Sequence, residues 1–350
     1  MRIAQVSTLY ESVPPRAYGG IERVVSWLTE ELVRAGHEVT LFASADSRTN
    51  AHLYAASEVP LREIEDTADP IALHFAMLED VVHRSSAFDL VHFHVDYLHF
   101  PFSARLSCPH VTTLHWRMDV PGLAELYRRF PRVPLVAISD AQRESLPWLN
   151  WQDTIHHGLP RDLFAPVYTP GSYAAFLGRI APTKGPDCAV EIARRAGVPL
   201  RIAAKIDNGD RDYHERVVAP LIDGKEVVYE GELDDAQKAA FLGGARALLF
   251  PVDWPEPFGL VMAEALACGT PVIAFRRGSV AEVIEDGETG FVVDTIEEAV
   301  DALRRIGTIS RERCRESFER RFTAGRMARG YEAVYEKVLH ATRAPVRLTP

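Results

Sequence analysis

Lysine is nearly absent from this sequence. Of its 39 basic residues only five are lysines, at Lys184, Lys205, Lys225, Lys238 and Lys337, and the rest are arginine. Cysteine is equally scarce: Cys108, Cys188, Cys268 and Cys314 lie far apart with no CxxC pair, which excludes a disulfide framework and implies reduced thiols. Positive charge is short overall. The net charge is −10, with 14 basic against 21 acidic residues in 1–167 and 25 against 28 beyond, so the chain lacks the basic footprint that nucleic acid requires. Long apolar runs are missing too. The best stretch, "GLVMAEALACGTPVIAF", is broken by Glu264 and a Gly-Thr-Pro turn, and "MRIAQVSTLYES" has too short an apolar run for a signal peptide. A cytoplasmic location is the expectation. One basic segment, "YRRFPR", with Arg128, Arg129 and Arg132, is a candidate for peripheral membrane contact.

What is present is alternation. The 350 residues suit two domains of about 150 to 175 each. Strand-like "RIAQVS" precedes a turn-rich loop, then "IERVVSWLTEELVRAG", where Ile21, Val24, Val25, Leu28 and Leu32 share one helical face. Further strands are expected at "EVTLFA", "DLVHFH", "HVTTLH" and "PLVAIS". Near 158–172 three prolines interrupt any period, which suggests a linker. A second series follows: strands "YAAFLG", "LRIAAK", "EVVYEG", "ALLFPV" and "PVIAF", with helices at 186–196, about 212–222, 234–243 and 259–268. The end of the chain reads as one long helix. The expectation is an α/β protein with domains at 1–165 and 166–322 and a final helix at 323–350, each domain a parallel sheet with helices on both faces. Such sheets bind ligands at the carboxyl edge of their strands.

Two groups of residues point at that edge. Arg179 ends a strand and Lys184 precedes the next helix, so one loop carries both. Gly178 permits close backbone approach, and Gly185 with Pro186 opens the helix. A guanidinium forks across two oxygens and an ammonium acts as a point charge; together they suit a diphosphate whose charge grows as it departs. The alternative is a pair of solvated loop charges. Lys205, ending "LRIAAK", is another cationic candidate. In "DWPEPFGLVMAEALACGTPVIAF", Gly259 opens a helix whose free amides offer an anion site. Glu256 and Glu264 stand eight residues apart, placed to accept hydrogen bonds from hydroxyl pairs on two sugars. Met262, Ala263, Ala265 and Leu266 around Glu264 imply a buried helix, where a carboxylate requires partners.

These segments, "GRIAPTKG", "EPFGLVMAEALACGTPVIA" and "GSVAEVIEDGETGFVV", resemble the retaining glycosyltransferases of family 4, which have the GT-B fold. The likeness runs from "YGGIERVV" to the final helix and includes a Glu-x7-Glu motif. It implies two Rossmann-like domains facing across a cleft, with the last helix crossing back to the first domain. It further implies that Arg179 and Lys184 hold the donor diphosphate, that Glu256 contacts donor-sugar hydroxyls and that Glu264 holds the ribose. The amides around Phe258, Gly259 and Leu260 would face sugar and phosphate. Gly19 and Gly20 match the family's glycine loop, and His115 in "VTTLHW" its donor-facing histidine. His94 and Asp96 in "VHFHVDY" are candidates for the acceptor side, although Val95 separates them where the family places the acid next to the histidine. Ser139 and Glu282 read equally well as helix caps.

The implied chemistry is transfer of a hexosyl unit from a nucleoside diphosphate sugar, UDP- or GDP-linked, to a hydroxyl of a saccharide, lipid-linked sugar or small molecule. No cofactor and no divalent metal is expected. His92, His94 and His99 lack a recognised zinc spacing. A hydrolysing 2-epimerase or a phosphorylase on the same fold is the main alternative. A dinucleotide dehydrogenase is disfavoured, because thirteen loop residues stand where a GxGxxG turn belongs.

Overall fold

In the first sheet, short apolar runs form central strands buried on both faces, the signature of parallel sheets covered by helices. A computed structural model describes residues 1–16, 19–64 and 69–343 of the chain; Tyr18 of the "YGG" segment lies outside them. It divides into two compact units. Unit 1 is Met1–Gly158 with the helix Ala324–Arg343, and unit 2 is Leu159–Thr323.

Unit 1 contains seven parallel strands, β1 (Arg2–Val6), β2 (Glu38–Ser44), β3 (His52–Ser57), β4 (Leu90–Phe93), β5 (His110–Thr113), β6 (Leu135–Ala137) and β7 (Trp151–Thr154), in the order β3-β2-β1-β4-β5-β6-β7. Its helices are α1 (Gly20–Arg34), α2 (Pro70–Arg84), α3 (Leu123–Arg129) and α4 (Asp140–Glu144). Unit 2 has six parallel strands, β8 (Tyr173–Arg179), β9 (Leu200–Lys205), β10 (Val227–Gly231), β11 (Ala245–Phe250), β12 (Val272–Phe275) and β13 (Gly290–Val293), ordered β10-β9-β8-β11-β12-β13. Its helices are α5 (Pro186–Ala196), the short α6 (Arg211–Tyr213), α7 (Asp235–Gly243), α8 (Leu260–Ala267), α9 (Val280–Val283), α10 (Ile296–Arg305) and α11 (Arg311–Arg321). The chain returns to unit 1 as α12 (Ala324–Arg343), which packs on α1. That contact explains why α1 buries Trp27, Ser26 and Thr29 as well as its apolar stripe.

Strand order reverses once in each sheet, between β1 and β4 and between β8 and β11. Loops at such a switch point part to opposite faces of the sheet and leave a crevice at the carboxyl edge. The loops after β1, β4, β8 and β11 carry Gly19, Asp96, Lys184 and Glu256.

Three sequence expectations need correction. The stretch 212–222 is not one helix: α6 gives way to a π turn at His214–Val218 and a 3-10 turn at Ala219–Leu221, where Pro220 has no N–H to continue an α-ladder. The proline-rich segment is not a free linker. The Arg311 guanidinium donates to the carbonyls of Val167, Gly243 and Ala245, and Arg315 donates to those of Arg161, Phe164 and Ala267. These bonds tie the segment to unit 2, so the division falls at Gly158/Leu159 and Thr323/Ala324, not at 165/166 and 322/323. Finally, Ser139 caps α4, accepting from the Gln142 N–H at 3.1 Å, whereas Glu282 sits inside α9 and is no cap.

Candidate functional site

The loop after β8 is built tightly against the loop after β11. A 3-10 turn, Pro182–Lys184, ends at Gly185, whose φ of 68° lies in the left-handed region. A Cβ at Gly185 would stand 2.4 Å from the Pro251 carbonyl oxygen, so only glycine fits. The Asp253 N–H donates to the Thr183 carbonyl at 2.9 Å and fastens the two loops. A third loop, after β12, joins them. Gly278 (φ 55°) would drive a Cβ to 2.3 Å from the Glu256 carbonyl oxygen, and the Ser279 N–H donates to that oxygen at 2.9 Å.

Glu256 is 7 % exposed at this junction. Lys184 Nζ donates to its Oε2 at 2.6 Å, and Trp254 Nε1 donates to the same oxygen at 2.8 Å. The ammonium also lies 4.6 Å from the Trp254 ring centroid, a cation–π contact. Two residues on, Phe258 is buried, and its carbonyl accepts from Ser279 Oγ. Gly259 (φ 76°) then opens α8 without any side-chain cap, which leaves the amides of the first turn unclaimed by a capping side chain. A Cβ there would strike Met262 Cε at 2.7 Å.

Arg179 and Lys205 end neighbouring strands in register. Arg179 donates from Nη1 to Asp207 Oδ2 at 3.1 Å, with its Nε 3.5 Å from Asp210, and Lys205 Nζ stands 3.4 Å from Asp207. Each cation of this edge is thus paired with a carboxylate: Arg179 and Lys205 with Asp207, Lys184 with Glu256. Partly buried pairs repay their desolvation poorly, so an anion that bound here would exchange one partner for another instead of meeting bare charge. Gly178 has open space where a Cβ would stand, so no protein atom demands glycine at that position.

Glu264, in the second turn of α8, is 3 % exposed. Its Oε1 lies 3.5 Å from Lys238 Nζ, whereas Oε2 has no hydrogen-bond partner among the described residues. A buried carboxylate oxygen in that state has acceptor capacity to spare. Sequence reasoning missed Trp254, Asp207, Asp210 and Lys238. Trp254 was legible in principle, two residues before Glu256, but an indole gave no sign of aiming its N–H there.

In unit 1, Gly19 precedes α1, packed so closely on Pro15 that a Cβ would fall 2.7 Å from its ring, and Gly20 is the first residue of that helix. His115 follows β5 and is 7 % exposed; its Nε2 lies 2.9 Å from His94 Nδ1, and its ring stacks on His157 at 5.3 Å. Burial holds His115 down to about 3, and holds His92, His94 and His157 well below the ordinary imidazole value, so all are neutral near pH 7. Asp96, in the left-handed region at φ 47°, accepts the His115 backbone N–H at 3.1 Å. Burial pushes its carboxyl up to about 6. His92, His94 and His99 each engage both ring nitrogens in hydrogen bonds, and no metal-ligand group of three or more His, Cys, Asp or Glu occurs among the described residues. Arg128 and Arg129 of the basic segment pair with Glu125, and Arg128 also lies over Trp148. Among the described residues no helix is long and apolar enough to cross a membrane.

Comparison with known proteins adds to this geometry. Residues 166–321 match the family "Glycosyl transferases group 1", and residues 18–155 match "Glycosyltransferase Family 4". A D-inositol 3-phosphate glycosyltransferase of Thermomonospora curvata is 32 % identical over 158 residues, 39 % of this chain and 32 % of that protein. A phosphatidyl-myo-inositol mannosyltransferase of Mycobacterium tuberculosis is 27 % identical over 323 residues, 84 % of this chain and 82 % of that one. Against the curated relatives above 30 % identity, the chain spans less than half of their length. In fold it is similar to AviGT4, a glycosyltransferase involved in avilamycin A biosynthesis, with a TM-score of 0.74 at 23 % identity over 97 % of this chain and 98 % of that one. The two parallel-sheet units are those of the GT-B architecture.

Proposed function

This chain belongs to the family 4 glycosyltransferases, and from that premise we propose that it moves a hexosyl unit from a nucleoside diphosphate sugar to an acceptor hydroxyl, retaining the anomeric configuration and using no divalent metal. One observation carries the reading: three loops of unit 2 meet where Lys184 and Trp254 converge on Glu256, beside the uncapped start of α8. In the proposed complex Arg179, Lys184 and the α8 amides take up the diphosphate. Charge that grows on the leaving phosphate as the C1–O bond breaks is met by groups already in place, the electrostatic contribution that is often the largest in catalysis.

Glu256 keeps Oε1 for sugar hydroxyls, because Oε2 is occupied by two donors. Glu264 Oε2, unpartnered and buried, accepts from a ribose hydroxyl. In unit 1, His115 meets a substrate hydroxyl, with His94 and Asp96 fixing its place. The acceptor oxygen bonds to C1 on the face the phosphate leaves, and its proton passes to a phosphate oxygen. Arg179 and Lys184 supply the positive charge that a metal would otherwise bring. The donor is UDP- or GDP-linked, and the inositol-based acceptors named for the relatives make a polyhydroxylated acceptor the first class to try.

A thermal-shift panel of nucleoside diphosphates and their sugars tests the donor, since a ligand that binds the folded protein raises its melting temperature. Transfer in excess EDTA then tests the rest. Stabilisation by one nucleoside diphosphate and EDTA-resistant transfer are expected. Rapid epimerisation of the donor without acceptor would replace this reading with that of a 2-epimerase.

A further inference from the structure

Unit 1 contains a chain of buried hydrogen bonds that runs from α12 to His115. Gln5, His92, His94 and Thr113 are fully buried, and Tyr331 and Tyr335 reach them from α12. Thr113 Oγ1 donates to Tyr331 Oη at 2.9 Å and lies 2.7 Å from His92 Nε2. His92 Nδ1 stands 2.8 Å from Tyr335 Oη, which accepts from Gln5 Nε2 at 3.0 Å. At its other end Gln5 places Oε1 2.8 Å from His94 Nε2. His94 Nδ1 is 2.9 Å from His115 Nε2.

A glutamine amide has one donating and one accepting end. With Nε2 spent on Tyr335, Gln5 offers His94 only an oxygen, so His94 carries its proton on Nε2 and a lone pair on Nδ1. That lone pair takes the Nε2–H of His115. A neutral imidazole has a single N–H, which leaves His115 Nδ1 bare. This atom is buried and has no hydrogen-bond partner among the described residues. The reverse sense would leave an orphaned N–H at the same place, and buried orphan N–H groups are rare. Asp96 pins the His115 backbone, and the stack on His157 sets the ring plane.

We propose that Gln5 and His94 are positioning residues that lock His115 in the Nε2–H tautomer, so that its Nδ1 accepts a hydrogen bond from a substrate hydroxyl. The inference rests on the reading of His115 as a substrate-facing group. Relay and helix are joined by its consequence: α12 supplies Tyr335, which orients Gln5, so this helix helps to set the protonation pattern of a group in the site.

The test is a long-range proton–nitrogen spectrum of the unliganded protein labelled with ¹⁵N-histidine, with His115 assigned from His115→Asn. Nδ1 at a bare-nitrogen shift and Nε2 at a protonated one are expected. In Gln5→Leu the two tautomers should mix and kcat/KM should fall about tenfold, the worth of one aligned hydrogen bond. His94→Asn, whose side-chain oxygen can stand where Nδ1 stood, should hold the tautomer and stay within about threefold of wild type, whereas His94→Leu should lose about tenfold. Wild-type His115 protonated on Nδ1, in a protein that does turn over a nucleotide sugar, overturns the inference and leaves the transferase reading standing. An unchanged tautomer in both Gln5→Leu and His94→Leu also overturns it. The stated tautomer in a protein that binds no nucleotide sugar would remove the substrate role and defeat the functional reading instead.

Discussion

Unit 1 is the histidine half of the molecule and unit 2 the lysine half. All but His214 of the 13 histidines belong to unit 1, and all but Lys337 of the five lysines to unit 2. The same parallel architecture is thus furnished in two ways. Unit 1 buries neutral, directional groups whose hydrogen bonds satisfy one another, as a low-dielectric interior requires. Unit 2 keeps permanent charges at its strand ends, each matched by a carboxylate. Neutral relays hold geometry; paired ions hold charge in reserve.

The largest effect that would sharpen this contrast is on turnover. Lys184→Ala should lower kcat by roughly 10²-fold or more, as when one group stabilising a developing anion is removed; steady-state kinetics would show it. Near-normal turnover would leave unit 2 without its assigned task.

The units should also part company in acid. Burial lowers His92, His94, His99, His115 and His157, so below the unfolded imidazole value near 6.5 the unfolded chain binds more protons than the folded one. Stability from these groups is complete above that value and falls as pH drops, by about 1.4 kcal/mol per unit for each histidine that must stay neutral. Hydrogen exchange followed by peptide should therefore show unit 1 losing protection between pH 6.5 and 4.5 before unit 2 does. Simultaneous loss would break the comparison.

How much of this the sequence disclosed depends on the range of each interaction. The helix at 186–196, strand β9 and the start of α8 were legible, because apolar period, Gly185, Pro186 and Gly259 are local signals. Lys184 stood out by rarity, and the spacing of Glu256 and Glu264 by pattern. The partners of these groups were not legible. Lys184 meets Glu256 across 72 residues and Gln5 meets Tyr335 across 330, and neither separation leaves a periodic trace. Nor did composition reveal that Arg311 and Arg315 fasten the proline-rich segment to unit 2, since their use as carbonyl clamps depends on tertiary packing alone. The break near Pro220 lies inside the stretch expected as one helix, and proline, which has no N–H to continue the α-ladder, marks it.

Smaller effects follow. Glu264→Gln should weaken nucleoside diphosphate binding about tenfold with little change in sugar preference, measured by calorimetric titration; unchanged affinity would remove the ribose assignment. Asp96 marks the exception inside unit 1. Its carboxyl is raised to about 6, so the folded state holds its proton longer than the unfolded one, and its contribution is fullest below about pH 4 and fades as pH rises through 6. Asp96→Asn keeps an acceptor for the His115 N–H and removes the cost of ionisation, so it should raise stability at pH 7 by about 3 kcal/mol and leave stability at pH 4 nearly unchanged, as urea unfolding at the two values would show.

The most direct measurement is the affinity of wild-type and Lys184→Ala protein for a nucleoside diphosphate and its monophosphate, by isothermal titration. If Lys184 receives the charge of the departing diphosphate, the substitution weakens diphosphate binding by about tenfold or more and leaves the monophosphate nearly unchanged. Equal affinities of the two proteins for the diphosphate would contradict the account.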